Sequence, residues 1–186
     1  MRALILIIAV LPGFAGAATL RGISVDHTDG AYVMRSEVWF DVNIERIYGL
    51  LLDWDQSAKF SSVIVESRNI APGPDGRARY YSHTRGWLWF FCKSFERSGY
   101  VEHEPFKFIK ATVDPDKSDF EVSDESWEFR EEADGTVVIY AFKMKPKFFI
   151  PPLIGPAILK NKLRNGGINA IERIEVLARD YAPYED

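Results

Sequence analysis

The stretch IGPAILKNKLRNGGINAIERIEVLARDYA, residues 154–182, decides the architecture. Leu159, Leu163, Ala170, Ile171, Ile174, Leu177 and Ala178 recur at helical spacing near one stripe, while Lys160, Arg164, Glu172 and Arg179 fall elsewhere. The pattern predicts one long helix. Gly166 and Gly167 interrupt it, at roughly 1 kcal/mol each against Ala. Two adjacent glycines there imply either a kink or a place where side chains would be in the way. So long a helix needs something wide to cover its apolar stripe.

The sequence before the helix supplies the cover. Residues 31–42 alternate, with Tyr32, Met34, Val38 and Phe40 on one face and Arg35 and Glu37 on the other, as in a strand with one buried face. Asp41, Val42 and Asn43 offer a cap for a helix over 44–52, in which Ile44, Ile47, Tyr48, Leu51 and Leu52 are spaced helically. A second short helical turn follows at 57–60. Strands then read in series at 62–70, 77–84, 87–101 (bent around Arg85-Gly86), 106–113, 120–130 and 136–145, separated by turn signals such as Pro72-Gly73-Pro74-Asp75-Gly76 and Ala133-Asp134-Gly135. These connections are too short for parallel crossovers. The expected fold is therefore α+β: a curved six- or seven-stranded antiparallel sheet wrapped around a long C-terminal helix, with two short helices after the first strand. A sheet curled around a helix without enough side-chain volume to fill it leaves a cavity.

Residues 1–17 read as a separate unit. Met1-Arg2, an apolar run of about 9 residues and Ala15-Gly16-Ala17 make a cleavable secretory leader, too short for the roughly 20 residues that span a bilayer. Residues 18–186 then form a single domain, its core at about 30–182, expected to be exported to the periplasm and soluble there. The whole chain carries 23 basic and 27 acidic residues, which argues against a general nucleic-acid binder. One cysteine, Cys92, excludes an intrachain disulfide.

Signatures of chemistry are sparse. His27, His83 and His103 are far apart, and no metal-ligand spacing, phosphate loop, dinucleotide fingerprint or nucleophile elbow occurs. No catalytic residue, metal or cofactor is assigned. Cys92 reads as a packed side chain. Glu121, Asp124, Glu125, Glu128, Glu131 and Glu132 read as a solvated acidic face, although Glu121, Ser123 and Glu125 share a face with Trp127 and Phe129. Alternation through the aromatic run at 87–91 puts Trp87, Trp89 and Phe91 on one face and Leu88, Phe90 and Cys92 on the other. Lys143, Lys145 and Lys147, then Lys160, Lys162 and Arg164, flank an apolar, proline-stiffened segment.

Four pieces carry a resemblance: Leu51-Leu52-Asp53-Trp54 after the first helix, Trp89-Phe90-Phe91-Cys92-Lys93 in a middle strand, Pro115 with Ser118-Asp119-Phe120, and Phe149-Ile150-Pro151-Pro152-Leu153-Ile154-Gly155-Pro156 leading into the last helix. With the order strand, short helices, strands, long helix, they resemble an exported bacterial branch of the SRPBCC superfamily, whose helix-grip fold includes START lipid-transfer domains, polyketide aromatase/cyclases and coenzyme Q-binding START proteins. The resemblance covers nearly all of 18–186. It implies a pocket between sheet and last helix that holds lipids. Alternation and stripe position nominate Met34, Trp89, Phe91, Trp127, Tyr140, Phe142 and Leu163 as its lining, with Gly166 and Gly167 facing the cavity or the sheet. Phe148, Phe149, Ile150, Pro151, Pro152, Leu153 and Ile154 are nominated as a gate or membrane contact at its mouth.

Binders and enzymes both occur on this fold, so the resemblance speaks to fold more than to function. The expected function is binding and transport of a hydrophobic small molecule, a lipid or isoprenoid quinone, with transient contact to a membrane surface and none to nucleic acid. The alternative is a cyclase/dehydratase-type enzyme acting on an apolar or polyketide-like substrate; its inward acid or base would come from Arg77, Arg79, His83 or Arg97. A module that binds only a protein partner is a third reading.

Overall fold

The computed structural model describes residues 17–88, 91–151, 153 and 155–185. Eight strands form one antiparallel sheet: β1 (Thr19–Thr28), β2 (Ala31–Phe40), β3 (Ile64–Ile70), β4 (Ala78–Leu88), β5 (Phe91–Glu104), β6 (Phe108–Val113), β7 (Phe120–Glu132) and β8 (Gly135–Pro146). Their order across the sheet is β1-β2-β8-β7-β6-β5-β4-β3. After β2 the chain leaves the sheet through α1 (Ile44–Leu52), a 3-10 turn at Trp54–Gln56 and α2 (Ser57–Phe60), and re-enters at the opposite edge as β3. From there each strand pairs with the next, as short connections require, until β8 closes against β2. The last element, α3 (Gly155–Asp180), approaches β1, β2 and β4 and packs along α1 and α2.

Two expectations are corrected. The sheet has eight strands, not six or seven, because β1 is an edge strand. It is exposed along most of its length, with only Ile23 and Val25 packed on the core, so its sequence carries little apolar alternation. The strand expected at 87–101 does not bend around Arg85-Gly86 either. β4 continues through both residues, and the register pairs Trp87 with Cys92 and Leu88 with Phe91, so the chain reverses between 88 and 91.

Local chemistry sets the element boundaries. Asp29 and Gly30 both have positive φ, 53° and 76°, as a two-residue hairpin turn between β1 and β2 demands. The Asn43 side chain accepts from the Arg46 N–H and starts α1, as the sequence suggests. Helix α3 is continuous through Gly166 and Gly167. Its C-terminal end is tied to α1: Arg46 Nη1 donates to the carbonyls of Arg179 (3.1 Å) and Tyr181 (2.6 Å), and the Tyr181 hydroxyl donates to Asp53 at 2.7 Å. Burial alone would raise the Asp53 carboxyl pKa. Hydrogen bonds from Gln56, Tyr181, the Asp55 N–H and Asn69 outweigh it and hold Asp53 below the usual carboxylate value.

The core divides in two. One apolar cluster joins Ile47, Tyr48, Leu50 and Leu51 of α1 and Trp54 to Val38, Phe40, Tyr80, Ile109, Trp127 and Phe129 of the sheet, with Ile171, Ile174 and Leu177 of α3 against it. The other joins Tyr32, Met34, Phe95, Phe120, Phe142, Met144 and Leu159, with Leu163 of α3 and Phe148 and Ile150 of the loop that precedes α3. Tyr140 packs on both.

Candidate functional site

A polar cluster sits where the two apolar clusters meet. Strand pairing brings it together: Ser82 on β4 opposes Arg97 on β5, and on β7 Ser123, Glu125 and Trp127 oppose Met144, Phe142 and Tyr140 of β8. A register irregularity between Phe120 and Val122 lets Glu121 leave this face, where it pairs with Lys145 at 2.5 Å, while Phe120, Ser123 and Glu125 all turn inward and are buried.

Arg97, 7% exposed, donates from Nε to Ser82 Oγ (3.2 Å) and from Nη1 to Ser123 Oγ (3.1 Å), and forms an ion pair with Glu125, 9% exposed. The Tyr140 hydroxyl donates to the other Glu125 oxygen at 3.1 Å. The guanidinium lies 5.9 Å from the Phe142 ring centre. Removing two charges from water costs several kcal/mol per ion, which only close pairing and additional hydrogen bonds offset. Burial alone would pull the Arg97 pKa down, but the Glu125 charge beside it prevails and keeps the guanidinium protonated.

Tyr80 and Trp54 complete the site. Their rings stack with centroids 4.0 Å apart, and Trp127 meets Trp54 edge-on. Both polar atoms, Tyr80 Oη and Trp54 Nε1, are buried without a hydrogen-bond partner among the described residues. Such groups cost roughly 1–3 kcal/mol each. Tyr80 also feels the charges of Arg97 and Glu125; burial, the largest cause, pushes its pKa up to about 12. The Tyr140 pKa is raised too, by burial first and the Glu125 charge second. Both phenols therefore stay protonated at neutral pH; Tyr140 donates to Glu125, and the Tyr80 O–H is left as an unmatched donor. Together the cluster offers a cation, a bound carboxylate and unsatisfied N–H and O–H donors, inside apolar walls. That is chemistry for an uncharged oxygen, a hydroxyl or carbonyl, on an otherwise apolar molecule.

The residues nominated from sequence fall as follows. Met34, Trp127 and Phe142 are buried, Tyr140 and Leu163 half-buried, all within the two apolar clusters. A Cβ on Gly166 would meet nothing within 4 Å, whereas one on Gly167 would come 3.3 Å from Met34 and 3.4 Å from Ile23. Gly166 thus borders open space and Gly167 faces the sheet. Trp89, Pro152 and Ile154 lie outside the described residues, as does the Phe91 side chain. The loop is split. Phe148 stacks on Phe95 at 4.3 Å and Ile150 is packed in, while Phe149 is 77% exposed and Leu153 95% exposed. Pro151 is half-buried. Lys93 Nζ sits 4.5 Å from the Phe148 ring centre. Of the four inward acid or base candidates only Arg97 belongs to the cluster. Arg77 stacks over Tyr100 at 3.7 Å on an exposed site, and alternation places Arg79 and His83 opposite to Tyr80 and Ser82.

Glu125, Ser82, Ser123, Tyr80 and Trp54 are not among the residues nominated from the sequence, and of these Glu125 carried a signal. Its acidic neighbours suggested a solvated face, yet it shares a strand face with Trp127 and Phe129, and that was the available signal.

Neither a protein-family model nor a curated protein matches the sequence. Solved structures do match in fold. A STAR-related lipid transfer protein from Xanthomonas axonopodis (fragment 25–204) superposes with a TM-score of 0.60 at 15% identity, covering 86% of this chain and 100% of that one. The Zhui aromatase/cyclase from Streptomyces sp. R1128 gives 0.62 at 9% identity, covering 80% and 93%. A START superfamily protein from Mycobacterium smegmatis gives 0.61 at 15% identity, covering 78% and 98%. The curved, open antiparallel sheet with a long C-terminal helix that this chain shows is the START-like helix-grip fold.

Proposed function

We propose that the protein binds one apolar molecule, a lipid or isoprenoid quinone, between the sheet and α3, with its oxygen-bearing end on the Arg97–Glu125–Tyr80 cluster. The observation that carries this reading is the pair of buried, unpartnered donors, Tyr80 Oη and Trp54 Nε1, beside a charged pair. Folded proteins rarely leave such groups unmatched, and a ligand oxygen would match them. The apolar remainder of the ligand would contribute roughly 0.8 kcal/mol per buried CH₂ without further chemistry. Lipid transfer by a structural neighbour supports the reading. Work in the periplasm, after loss of residues 1–17, follows from the leader.

Tyr80→Phe tests it. The change deletes an unpartnered hydroxyl, so the ligand-free protein should hold its stability or gain about 1 kcal/mol. Binding of long-chain alcohols and quinones should weaken about tenfold, while binding of an alkane-like probe stays unchanged. Equal titrations of wild type and variant with both probes would remove the polar cluster from the binding account.

One observation favours a second reading, a cyclase/dehydratase-type enzyme acting on an apolar or polyketide-like substrate. The Tyr140 phenol is held on Glu125 inside the apolar walls, where it could serve as an acid, and one neighbour is an aromatase/cyclase. Turnover of a polyketide-like substrate that disappears in Tyr140→Phe would select it.

Transfer, beyond binding, requires contact with a bilayer. Phe149 and Leu153 are exposed in the loop before α3, close in sequence to Lys147 and Lys160. Exposed apolar side chains beside basic ones suit an anionic surface, at about 1 kcal/mol per basic residue. Wild-type protein should float with phosphatidylglycerol vesicles at low salt and less so at high salt. Phe149→Ser with Leu153→Ser should abolish flotation without lowering Tm, since neither side chain is packed. Equal flotation of the two proteins would assign the loop to plugging alone.

A further inference from the structure

Glu175 stands in the apolar stripe of α3, between Ile171 and Ile174 on one side and Ala178 on the other, and is only 6% exposed. A carboxylate there needs partners. Arg179 Nη2 donates to Oε1 at 2.8 Å, and the Ala18 backbone N–H donates to Oε2 at 2.5 Å. Arg179 also pairs with Asp41 at 3.4 Å, so one guanidinium serves two carboxylates. Arg46, the neighbouring cation, spends Nη1 on the carbonyls that end α3. Ala17 is exposed, while Ala18 is half-buried against the core.

We propose that Glu175 is the receptor for the α-ammonium group that cleavage after Ala17 creates at Ala18. The proposal rests on the leader reading of residues 1–17 and is independent of ligand binding. A peptidase adds water across the Ala17–Ala18 bond. Ala17 departs as a carboxylate and Ala18 keeps an amine, which takes a proton at neutral pH. A neutral amide donor thereby becomes a cation with three N–H groups, already in place against a buried carboxylate. Charge-assisted bonds of this kind are about twice as strong as neutral ones. Ala18 directly precedes β1, the exposed edge strand, and further along β1 the Ile23 side chain meets α3 at Gly167. Processing thus strengthens the fastening of the edge of the grip to the helix that closes it, since in the uncleaved chain the tie is only a neutral amide hydrogen bond.

The full chain is expressed with its leader, and the exported product is purified and its N-terminus identified by mass. It is then treated near neutral pH with an activated acetyl ester, which reacts with amines only in their uncharged form. The α-amine of Ala18 is expected to react at least about tenfold more slowly than that of a free 18–28 peptide, equivalent to a pKa raised by one unit or more. The protection should disappear in Glu175→Gln. A product that begins elsewhere than Ala18 overturns the proposal through the leader reading. Peptide-like reactivity at Ala18, or protection that survives in a folded Glu175→Gln protein, overturns it through the ion pair. Should Glu175→Gln fail to fold, the comparison of wild type with peptide decides alone.

Discussion

Arg97→Met should destabilise the protein by about 3–5 kcal/mol, the range for removing one partner from a buried ion pair. In a chain of this size that is a fall of roughly 10 °C in Tm. The cause is the partner left behind: Glu125 would stay in an apolar interior with only the Tyr140 hydroxyl to satisfy it. Glu125→Met should be as harmful, because it strands Arg97. The double replacement, Arg97→Met with Glu125→Met, should recover most of the loss, since apolar side chains of similar volume often replace a buried pair at little or no cost. Thermal melts of the four proteins complete the cycle. A double variant near wild-type stability that no longer distinguishes a long-chain alcohol from an alkane would show that the charges serve the ligand and not the fold. A double variant as unstable as the singles would make them structural.

Gly166→Leu should have the largest effect on uptake. The position borders open space on the helix stripe, so a leucine's Cβ would meet nothing and its remaining atoms would occupy that space. In a helix interior Leu is favoured over Gly by somewhat under about 1 kcal/mol, so Tm should rise by about 2 °C. Forcing a bound apolar molecule to share that volume costs roughly 1–3 kcal/mol or more, and affinity should fall up to about a hundredfold. Gly167→Leu is the matching control. A Cβ there would already lie 3.3 Å from Met34 and 3.4 Å from Ile23, so the added atoms push β1 and β2 from α3 and Tm should fall. Opposite signs in stability with a shared loss of uptake would place the ligand along this turn of α3. Unchanged uptake in Gly166→Leu would make the open space a surface groove.

Much of this was legible in the sequence, for identifiable reasons. The long stripe from Leu159 to Ala178 and the alternation of Tyr32, Met34, Val38 and Phe40 each fix one buried face, and a helix and a sheet so patterned have to meet. The cap at Asn43 is equally local. Strand β1 was hidden because an exposed edge has no apolar period, although Asp29-Gly30 before β2 is a strong two-residue hairpin signal. The reversal between Leu88 and Phe91 was hidden because apolar residues run straight through it, so period gives no break. The site was only half legible. Its apolar members follow from alternation, but Arg97, Ser82, Ser123 and Glu125 come from three strands, and only register shows that they meet. Whether an acidic residue in an alternating strand faces water or a buried arginine depends on a partner 28 positions away. Glu175 posed the same problem, with its partner at the far end of the chain.

The most direct measurement is native mass spectrometry of the protein purified from its own host without denaturation, followed by organic extraction of what it carries. The account predicts one molecule per chain, mainly hydrocarbon and bearing a hydroxyl or carbonyl oxygen, present in wild type and depleted in the Arg97→Met, Glu125→Met double variant and in Gly166→Leu. Wild-type protein that emerges with no bound molecule, and takes up none when offered a total lipid extract of the host, would contradict it.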